Sequence, residues 1–339
     1  MDLSVVIPVY RSAPMLEELT GRLVQVLDAT GLSYEIVFVD DGSPDGSWQV
    51  LQAVRERHPD RIVAVQLMRN YGQHNALMCG FRHTRGEYVV TMDDDLQNPP
   101  EEIPKLIEAI TANDLDLVYG SYGDKKHNPW RNLSSWVVNA FYRRVFRSSV
   151  TVTSFRIIRR CLLESIFSYT LNFTFVDGLL AWNTQRMGEV PVEHLPRAQG
   201  RSGYSLARLT LLALNLFTNF SLLPLQLVSV LGVLAAAGGL CLAGVYLVLY
   251  LLHQIVVPGY ASTIIAVLVM GGVQLLSLGI MGEYLGRLHL NVNRKPQYTE
   301  RQVLAADSSA LALRGTGAPL GNTAPFDGSQ CEKCSSHES

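Results

Sequence analysis

The stretch Tyr34-Glu-Ile-Val-Phe-Val-Asp-Asp-Gly-Ser43 joins a short apolar run to an acidic turn. The run is rich in β-branched and aromatic residues, which is typical of a buried strand. Comparable runs stand at Leu3–Val9, Ile62–Leu67 and Glu87–Met92. Because helical patterns separate these runs, the segment before residue 120 predicts an α/β fold with a mostly parallel, Rossmann-like sheet and helices on both of its faces.

The segment between the first two runs predicts a helix, because leucines repeat there at helical spacing. These leucines are Leu16, Leu19, Leu23 and Leu27. Pro14 fits the first helical position, and Ser12 precedes it as the expected cap. Residues 73–83 suggest a further helix, and residues 155–158 suggest a further strand.

Polar clusters follow three of the predicted strands. They are Asp40-Asp-Gly-Ser43, Arg69-Asn-Tyr-Gly-Gln-His74 and Asp93-Asp-Asp-Leu-Gln-Asn-Pro-Pro100. In a parallel sheet the carboxyl ends of the strands meet at one edge, and ligands gather there. One such cluster would indicate a turn, whereas three at successive strand ends predict a site.

The first strand does not run into a known phosphate-binding turn. Residues 8–14 contain no glycine, so the Gly-rich turn of a dinucleotide-binding fold is absent, and the chain has no P-loop motif. Carboxylates can instead hold Mg²⁺ or Mn²⁺, which bridge to phosphate oxygens. In an extended segment Asp93 and Asp95 project to one side and would share a metal ion, whereas Asp94 faces the other way. The alternative is an acidic turn that caps a helix beginning near Pro99.

Four motifs occur in order along the chain. They are Ser4–Tyr10, Val39–Ser43, Arg69–Gln73 and Asp93–Pro100. Together they resemble the inverting family-2 glycosyltransferases of the glycosyltransferase-A fold. With the apolar segments that follow, residues 1–300 are most similar to the polyprenyl-phosphate branch, which includes dolichyl-phosphate mannose synthases and undecaprenyl-phosphate aminoarabinose transferases. The resemblance implies transfer of a sugar from a nucleotide-sugar, expected to be a UDP-sugar, to undecaprenyl phosphate with inversion.

The resemblance also implies roles for individual residues. Asp93, Asp95 and Gln97 would act in catalysis by holding Mg²⁺ or Mn²⁺ and the diphosphate, and Asp40 or Asp41 would hold the nucleobase. The other expected nucleotide contacts are Pro8, Tyr10, Asn70 and Asp94. The basic residues expected to hold the acceptor phosphate are Lys126, Arg131, Arg156 and Arg201.

The chain departs from the family pattern in several places. Arg11 and Ser12 replace a common Asn-Glu pair, Ser154 stands where relatives often carry Asp, and Gly203 replaces a lysine. The missing carboxylate at Ser154 is tolerable for a phosphate acceptor, because a phosphate monoester has its second pKa near 6. Such a nucleophile is already deprotonated at neutral pH and needs cationic positioning more than a general base.

From Leu209 to Gly282 the chain contains no Asp, Glu, Lys or Arg, which indicates a lipid environment. The predicted segments are a catalytic domain (1–205), an interfacial amphipathic helix (206–221), two transmembrane helices (222–252 and 262–282), a cytoplasmic segment (283–304) and a disordered tail (305–339). The loop 253–261 lacks Lys and Arg, while both flanks carry them. The positive-inside rule therefore places the catalytic domain on the cytoplasmic side of a plasma (bacterial inner) membrane.

The formal net charge of −2 gives no general attraction to nucleic acid. The partners that the resemblance and the uncharged stretch imply are the nucleotide-sugar, the polyprenyl phosphate and the lipid bilayer, and a homo-oligomer is left open. The five cysteines are scattered and form no disulfide framework. Cys331 and Cys334 have metal-like spacing without a second pair, so a disordered tail is favoured there over a zinc site.

Two other functions are left open. A processive polysaccharide synthase would share the nucleotide-binding half, but the chain lacks its usual Gln-x-x-Arg-Trp motif. A non-catalytic membrane scaffold could keep a degenerate transferase domain. The intact Asp93, Asp95 and Gln97 argue against the scaffold, because a domain without catalysis has no physical need for clustered carboxylates.

Overall fold

The computed structural model describes residues 1–122, 150–169, 174–195, 259–292 and 296–305, together with single residues and short pieces between 225 and 252. The chain divides into two compact units. The first comprises Met1–Thr170, Thr174–Arg201 and Pro296–Ser339, and the second comprises Leu171–Phe173 and Ser202–Lys295. The predicted phosphate contacts Lys126, Arg131 and Arg201 lie outside the described residues, as does the predicted helix 206–221.

The described part of the first unit contains a single mixed sheet. Its strands are β1 (Leu3–Val9), β2 (Tyr34–Asp40), β3 (Ile62–Leu67), β4 (Tyr88–Thr91), β5 (Leu117–Tyr122), β6 (Arg156–Arg159), β7 (Met187–Val192) and β8 (Glu300–Leu304). Their order in the sheet is β7-β5-β6-β4-β1-β2-β3-β8. Strand β6 runs antiparallel to β4 and β5, and β8 runs antiparallel to β3, whereas the remaining pairs are parallel.

The centre of the sheet confirms the strand predictions. Strand β1 pairs in parallel with β2 on one side and with β4 on the other. Every residue of β1 and β2 is buried, which explains why their sequences are nearly continuous apolar runs. The predicted strand at 155–158 is found one residue later, as β6. Strands β5, β7 and β8 were not predicted.

Helices connect the strands and pack on the sheet. In the first unit they are α1 (Leu16–Thr30), α2 (Ser47–Arg57), α3 (Gln73–Arg82), α4 (Ile103–Ala112), α5 (Arg160–Ile166) and α6 (Val176–Asn183). The leucines that predicted α1 are all fully buried. The prediction at 73–83 is confirmed as α3.

The start of α1 differs from the prediction. The helix begins at Leu16 rather than at Pro14, and no side chain caps it. The Ser12 hydroxyl donates instead to the carboxylate of Asp94, which lies after β4. An ionised carboxylate is a stronger acceptor for the hydroxyl than a neutral group. The acidic residues Glu17 and Glu18 occupy the first turn, where they complement the helix dipole.

The residues after 259 contain a long helix and a strand. Helix α7 (Tyr260–Val292) belongs to the second unit and includes the predicted segment 262–282. Most of the predicted segment 222–252 lies outside the described residues. Among the residues that are described, no helix is both long enough and apolar enough to cross a membrane. Strand β8 belongs to the first unit, where it covers the outer edge of β3 with Val303 opposite Val65.

At the end of the sheet where the parallel strands begin, Gly86 packs closely against the start of β1. The Gly86 backbone N–H donates to Ser4 Oγ at 2.8 Å, and that hydroxyl donates to Glu35 Oε1 at 2.7 Å. A Cβ atom at Gly86 would lie 2.5 Å from the Ser4 nitrogen and 2.6 Å from the Leu3 carbonyl carbon. Both atoms are backbone atoms of β1, so rotation of a side chain cannot relieve the contact.

We therefore expect Gly86→Ala to reduce the free energy of unfolding by about 2 kcal/mol or more, because the added methyl group forces β1 and the turn before β4 apart. Gly21→Ala is the matched control, since a Cβ there meets nothing within 4 Å. In helix α1 this change should stabilise by about 0.5 kcal/mol or more. Urea unfolding of both variants measures the difference, and equal midpoints would contradict the packing at Gly86.

Candidate active site

The predicted polar clusters meet at the carboxyl-terminal edge of β1, β2, β3 and β4. Because these strands run parallel, the residues that follow each of them lie at the same edge. Tyr10 follows β1, Asp41 follows β2 and Asp93 follows β4 closely in sequence. Side-chain hydrogen bonds then connect the turns to one another, so the clusters form one site.

Asp94 links the turn after β4 to the turn after β1. Its Oδ2 accepts from the Tyr10 backbone N–H at 3.0 Å and from the Ser12 hydroxyl. Arg11, between these two donors, has a left-handed backbone with φ of 60°. Burial raises the pKa of Asp94 to about 6, against the effect of both donors. Asp94 therefore shapes the turn that carries Tyr10.

Asp93 is held by two donors from other parts of the fold. Its Oδ1 accepts from Gln73 Nε2 at 2.7 Å, at the start of α3, and its Oδ2 accepts from Ser154 Oγ at 2.6 Å, just before β6. Burial raises the pKa of Asp93, and the nearby charge of Asp95 adds to the effect. Ser154, noted in the sequence as a departure from the family pattern, thus contacts a predicted metal ligand.

The segment that follows β4 is a turn rather than an extended strand. Strand β4 ends at Thr91, and Leu96 has a left-handed backbone with φ of 57°. The premise that residues alternate sides over 93–95 is therefore wrong, although Asp94 does face different partners from Asp93. Asp95 is 7% exposed, and its Oδ1 accepts from the Gln97 backbone N–H at 3.2 Å.

The alternative prediction was that the acidic turn caps a helix beginning near Pro99. The hydrogen bonds at the start of this helix do not support it. A short 3₁₀ turn, Pro100–Glu102, precedes α4, and neither has a side-chain cap hydrogen bond. The Gln97 side chain reaches in another direction, and its Nε2 donates to the Leu195 backbone carbonyl at 3.4 Å. The acidic residues are therefore not held in place by capping.

Asp41, in the cluster after β2, forms hydrogen bonds with the cluster after β3. Its two carboxylate oxygens accept from the backbone N–H groups of Tyr71, at 2.7 Å, and Gly72, at 2.8 Å. Burial raises the pKa of Asp41 to about 6. Asp40, fully buried beside it, accepts from the Ser43 backbone N–H at 3.1 Å. In the structure both carboxylates, expected to hold a nucleobase, are engaged with the chain itself.

Gly42 allows the two turns to approach each other. It has φ of 66°, and a Cβ atom there would lie 2.5 Å from the carbonyl carbon of Arg69. The neighbouring Asn70 is exposed, and the Tyr10 ring is 41% exposed, so both can meet a ligand. Pro8 is buried within β1 opposite Val39.

The prediction that Arg156 holds the acceptor phosphate is not supported by its position. Arg156 is 1% exposed and forms an ion pair with Asp177 on α6. The Tyr119 hydroxyl donates to the same carboxylate at 3.0 Å. In this structure the guanidinium is therefore paired with a carboxylate of the protein rather than presented to solvent. Nothing in the local sequence around Asp177 indicated this pairing.

His74 lies beside this ion pair at the start of α3. Its ring packs edge-on against Phe175, with 5.3 Å between ring centroids. Burial lowers the pKa of His74 to about 4, and the positive charge of Arg156 adds to the shift. His74 is therefore neutral at physiological pH. At the start of α3, Gln73 therefore contacts Asp93 of the acidic turn, and His74 contacts Phe175 just before α6.

Comparisons with known proteins agree with this architecture. Residues 4–167 match the sequence model of glycosyl transferase family 2. The chain is 39% identical over 335 residues to undecaprenyl-phosphate 4-deoxy-4-formamido-L-arabinose transferase of Pseudomonas aeruginosa (strain LESB58), covering 95% of this chain and 96% of the relative. It is 37% identical over 311 residues to the transferase of the same name from Edwardsiella ictaluri, covering 90% and 94%.

Solved structures show the same fold at lower identity. Glucosyl-3-phosphoglycerate synthase of Mycobacterium tuberculosis, in complex with phosphoglyceric acid, is 20% identical and has a TM-score of 0.50, covering 65% of this chain and 80% of that chain. The same enzyme in complex with Mn²⁺, uridine diphosphate and glucosyl-3-phosphoglycerate gives the same values. At this identity the likeness concerns the fold.

The raised pKa of Asp41 predicts a pH-dependent stability. An unfolded aspartate titrates near 3.9, so between about pH 4 and pH 6 the folded state holds a proton that the unfolded state has lost. This contribution to stability is present at low pH and is lost as the pH rises through about 6. Wild type should therefore lose about 2 kcal/mol relative to Asp41→Asn between pH 4 and pH 7.

Urea unfolding of wild type and Asp41→Asn across this pH range measures the effect. Titrating groups that do not interact with Asp41 are common to both proteins and cancel in the difference, whereas the neighbouring Asp40 is coupled to Asp41. Parallel pH profiles would mean that Asp41 has an ordinary pKa and is not held in a desolvated position.

Proposed function

The chain belongs to glycosyl transferase family 2 and is a glycosyltransferase, and we propose that it transfers a sugar from a nucleotide-sugar to undecaprenyl phosphate. The observation that carries the proposal is the cluster of carboxylates at the carboxyl edge of the sheet, in which Asp95 is buried and Asp93 and Asp94 are half-buried. It is supported by relatives that match 95% and 90% of the chain and are named for transfer to undecaprenyl phosphate.

The acidic turn fits a hard divalent cation. Its donors are carboxylate and amide oxygens, which Mg²⁺ and Mn²⁺ prefer. Asp93, Asp95 and Gln97 would hold the ion. Burial, with a smaller contribution from the charge of Asp95, raises the pKa of Asp93, and a bound cation would offset both effects. When bound, Mg²⁺ or Mn²⁺ supplies a Lewis acid for the departing nucleoside diphosphate. Gln73 and Ser154 hold the Asp93 carboxylate in position for this role.

The donor nucleotide would lie beside the turns after β1 and β3. The exposed Tyr10 ring offers a flat apolar surface for a base, with the Arg11 guanidinium 5.2 Å from the ring centroid. Asp41 positions the loop that carries the exposed Asn70 by accepting two backbone N–H groups. Its role in this proposal is therefore to hold a nucleotide-binding loop. A UDP-sugar is the proposed donor.

A phosphate acceptor explains why a serine, rather than a carboxylate that could act as a base, can stand at position 154. A phosphate monoester is largely dianionic at neutral pH and attacks without a general base. Ser154 can then donate to Asp93 rather than accept a proton from the acceptor. In-line attack on the anomeric carbon of an α-linked donor gives a β-linked lipid phosphate with inversion. Lys126, Arg131 and Arg201 are the cations proposed to hold the acceptor phosphate.

A lipid acceptor also fits the apolar character of residues 209–282. This stretch carries no formally charged side chain, and α7 exposes large apolar residues. Among them are Val267, Leu275, Leu278, Leu285 and Val292. We propose that segments 222–252 and 262–282 attach the enzyme to the bacterial inner membrane and that its catalytic domain is cytoplasmic. The lipid-linked product would serve as a sugar donor for lipopolysaccharide or another envelope glycan.

The direct test mixes membranes containing the protein with undecaprenyl phosphate, Mn²⁺ and a panel of UDP-sugars, beginning with UDP-4-deoxy-4-formamido-L-arabinose. Mass spectrometry detects a lipid-linked sugar, and NMR of the product reports the anomeric configuration. Absence of product with every donor would contradict the proposed acceptor, and a product that keeps the anomeric configuration of its donor would contradict inversion.

We expect Asp95→Asn to reduce turnover by about a hundredfold or more, because a neutral amide weakens the divalent cation that offsets charge on the leaving diphosphate. Asp60→Asn is the matched control, since Asp60 is exposed in the loop before β3, at the opposite end of that strand. Turnover measured against Mn²⁺ concentration separates loss of metal affinity from misfolding. Unchanged turnover in Asp95→Asn would contradict the metal site.

Ser154→Ala should lower kcat about tenfold with a smaller change in the KM for the nucleotide-sugar, because Asp93 loses a charge-assisted donor and its fixed orientation. Ser154→Thr retains the hydroxyl and should retain most of the activity. Measuring kcat and KM for both variants shows whether the hydroxyl group is required for activity. If the alanine and threonine variants are equally impaired, the hydroxyl is not the feature that matters.

A further inference from the structure

A group of metal-ligating side chains lies away from the acidic turn. Among the described residues, Cys79, His83 and Glu300 form the one set of three His, Cys, Asp or Glu side chains whose ligand atoms all lie within 4.8 Å of one another. Glu300 Oε1 lies 3.4 Å from Cys79 Sγ and 3.0 Å from His83 Nε2. Neither the acidic turn nor the proposed transfer reaction uses these residues.

Two elements of the first unit build this group. Cys79 lies on α3, and His83, four residues later, is the residue that caps the end of this helix, so their side chains lie on the same side. Glu300 begins β8, where it stands opposite Leu67 of β3 in the edge pairing of the sheet. The group therefore joins a helix from the early part of the chain to the strand that follows α7 in sequence.

The two separations measured from Glu300 Oε1 are close to those of a tetrahedral zinc site. Zinc lies about 2.3 Å from a thiolate sulfur and about 2.0 Å from imidazole nitrogen or carboxylate oxygen. Tetrahedral angles then place sulfur about 3.5 Å and nitrogen about 3.3 Å from the carboxylate oxygen. The observed 3.4 Å and 3.0 Å differ from these values by a few tenths of an ångström. Small side-chain rotations are enough to admit the ion.

We propose that Cys79, His83 and Glu300 bind one Zn²⁺, with water as the fourth ligand. A thiolate and an imidazole favour Zn²⁺ over Mg²⁺ or Mn²⁺, which prefer oxygen ligands. The Cys79 side chain is fully buried and that of His83 is 8% exposed, so the ion is shielded on the helix side. The Glu300 side chain is 32% exposed, so water can reach the remaining position.

The bound ion would tie β8 to α3. Strand β8 has only five residues and pairs on one side only, with β3. Backbone pairing alone holds such a short edge strand weakly. A metal bridge between residues 79 and 300 closes a long stretch of chain and adds binding free energy to folding. This role concerns the integrity of the sheet edge and does not depend on which sugar or lipid the enzyme uses.

The test measures the metal in the purified full-length chain, in a background with Cys331→Ser and Cys334→Ser, so that the tail cysteines cannot bind zinc. Elemental analysis after growth with added zinc should find about one zinc per chain. Cys79→Ser and Glu300→Gln preserve size and hydrogen-bonding capacity, and each should lower the zinc content at least about tenfold. Cys161→Ser is the control, because Cys161 is exposed and lies outside the group.

Co²⁺ substitution gives a second readout that requires no activity. A cobalt–thiolate bond produces an intense near-ultraviolet charge-transfer band, expected in the background protein and in Cys161→Ser but absent from Cys79→Ser. Deuterium uptake at the backbone amides of Glu300–Leu304 should increase when a chelator removes the metal. Zinc below about one tenth per chain in the background protein, or equal content in Cys79→Ser and Cys161→Ser, would overturn the proposal.

Discussion

Burial of carboxylates at one edge of a parallel sheet is the constraint on which the site depends. Parallel pairing brings the ends of β1, β2 and β4 together, and the ends of β2 and β4 carry aspartates. A carboxylate that leaves water needs donors from the protein, and here the surrounding turns provide them. Asp41 accepts hydrogen bonds from the loop after β3, and Asp94 accepts them from the turn after β1. Asp93 accepts from the first residue of α3 and from the residue Ser154, just before β6. The shape of the site follows from satisfying these charges.

The sequence predicts the central strands and their polar ends because both signals are local. A fully buried strand must be apolar on both faces, so β1 and β2 appear as continuous runs. The predicted start of α1 was wrong because it depends on a contact that is distant in sequence. Ser12 and Pro14 have the local pattern of a helix cap, but the Ser12 hydroxyl is taken by a carboxylate that lies far along the chain. Local propensity could not weigh a partner that only the folded sheet supplies.

The same limit applies to the tertiary partners that the sequence does not reveal. The family resemblance suggested that Arg156 meets a phosphate, and in the structure its guanidinium pairs with Asp177. Whether an arginine faces a ligand or a buried carboxylate depends on tertiary neighbours, and composition carries no such information. Strand β8 was missed because it is short, partly polar and separated from the rest of its sheet by α7. Conversely, Ser154 was noticed as a departure, and the structure supplies its partner.

The position of β8 also has a consequence for biosynthesis. Strand β3 would have an open edge without it, and an open edge can pair with strands of other molecules. The ribosome makes β3 long before it makes residues 300–304, so the nascent sheet is incomplete during most of translation. The apolar stretch 209–282 emerges in that interval. Closure of the sheet is therefore a late event in synthesis, and a chain truncated before residue 300 would be released with the edge of β3 still unpaired.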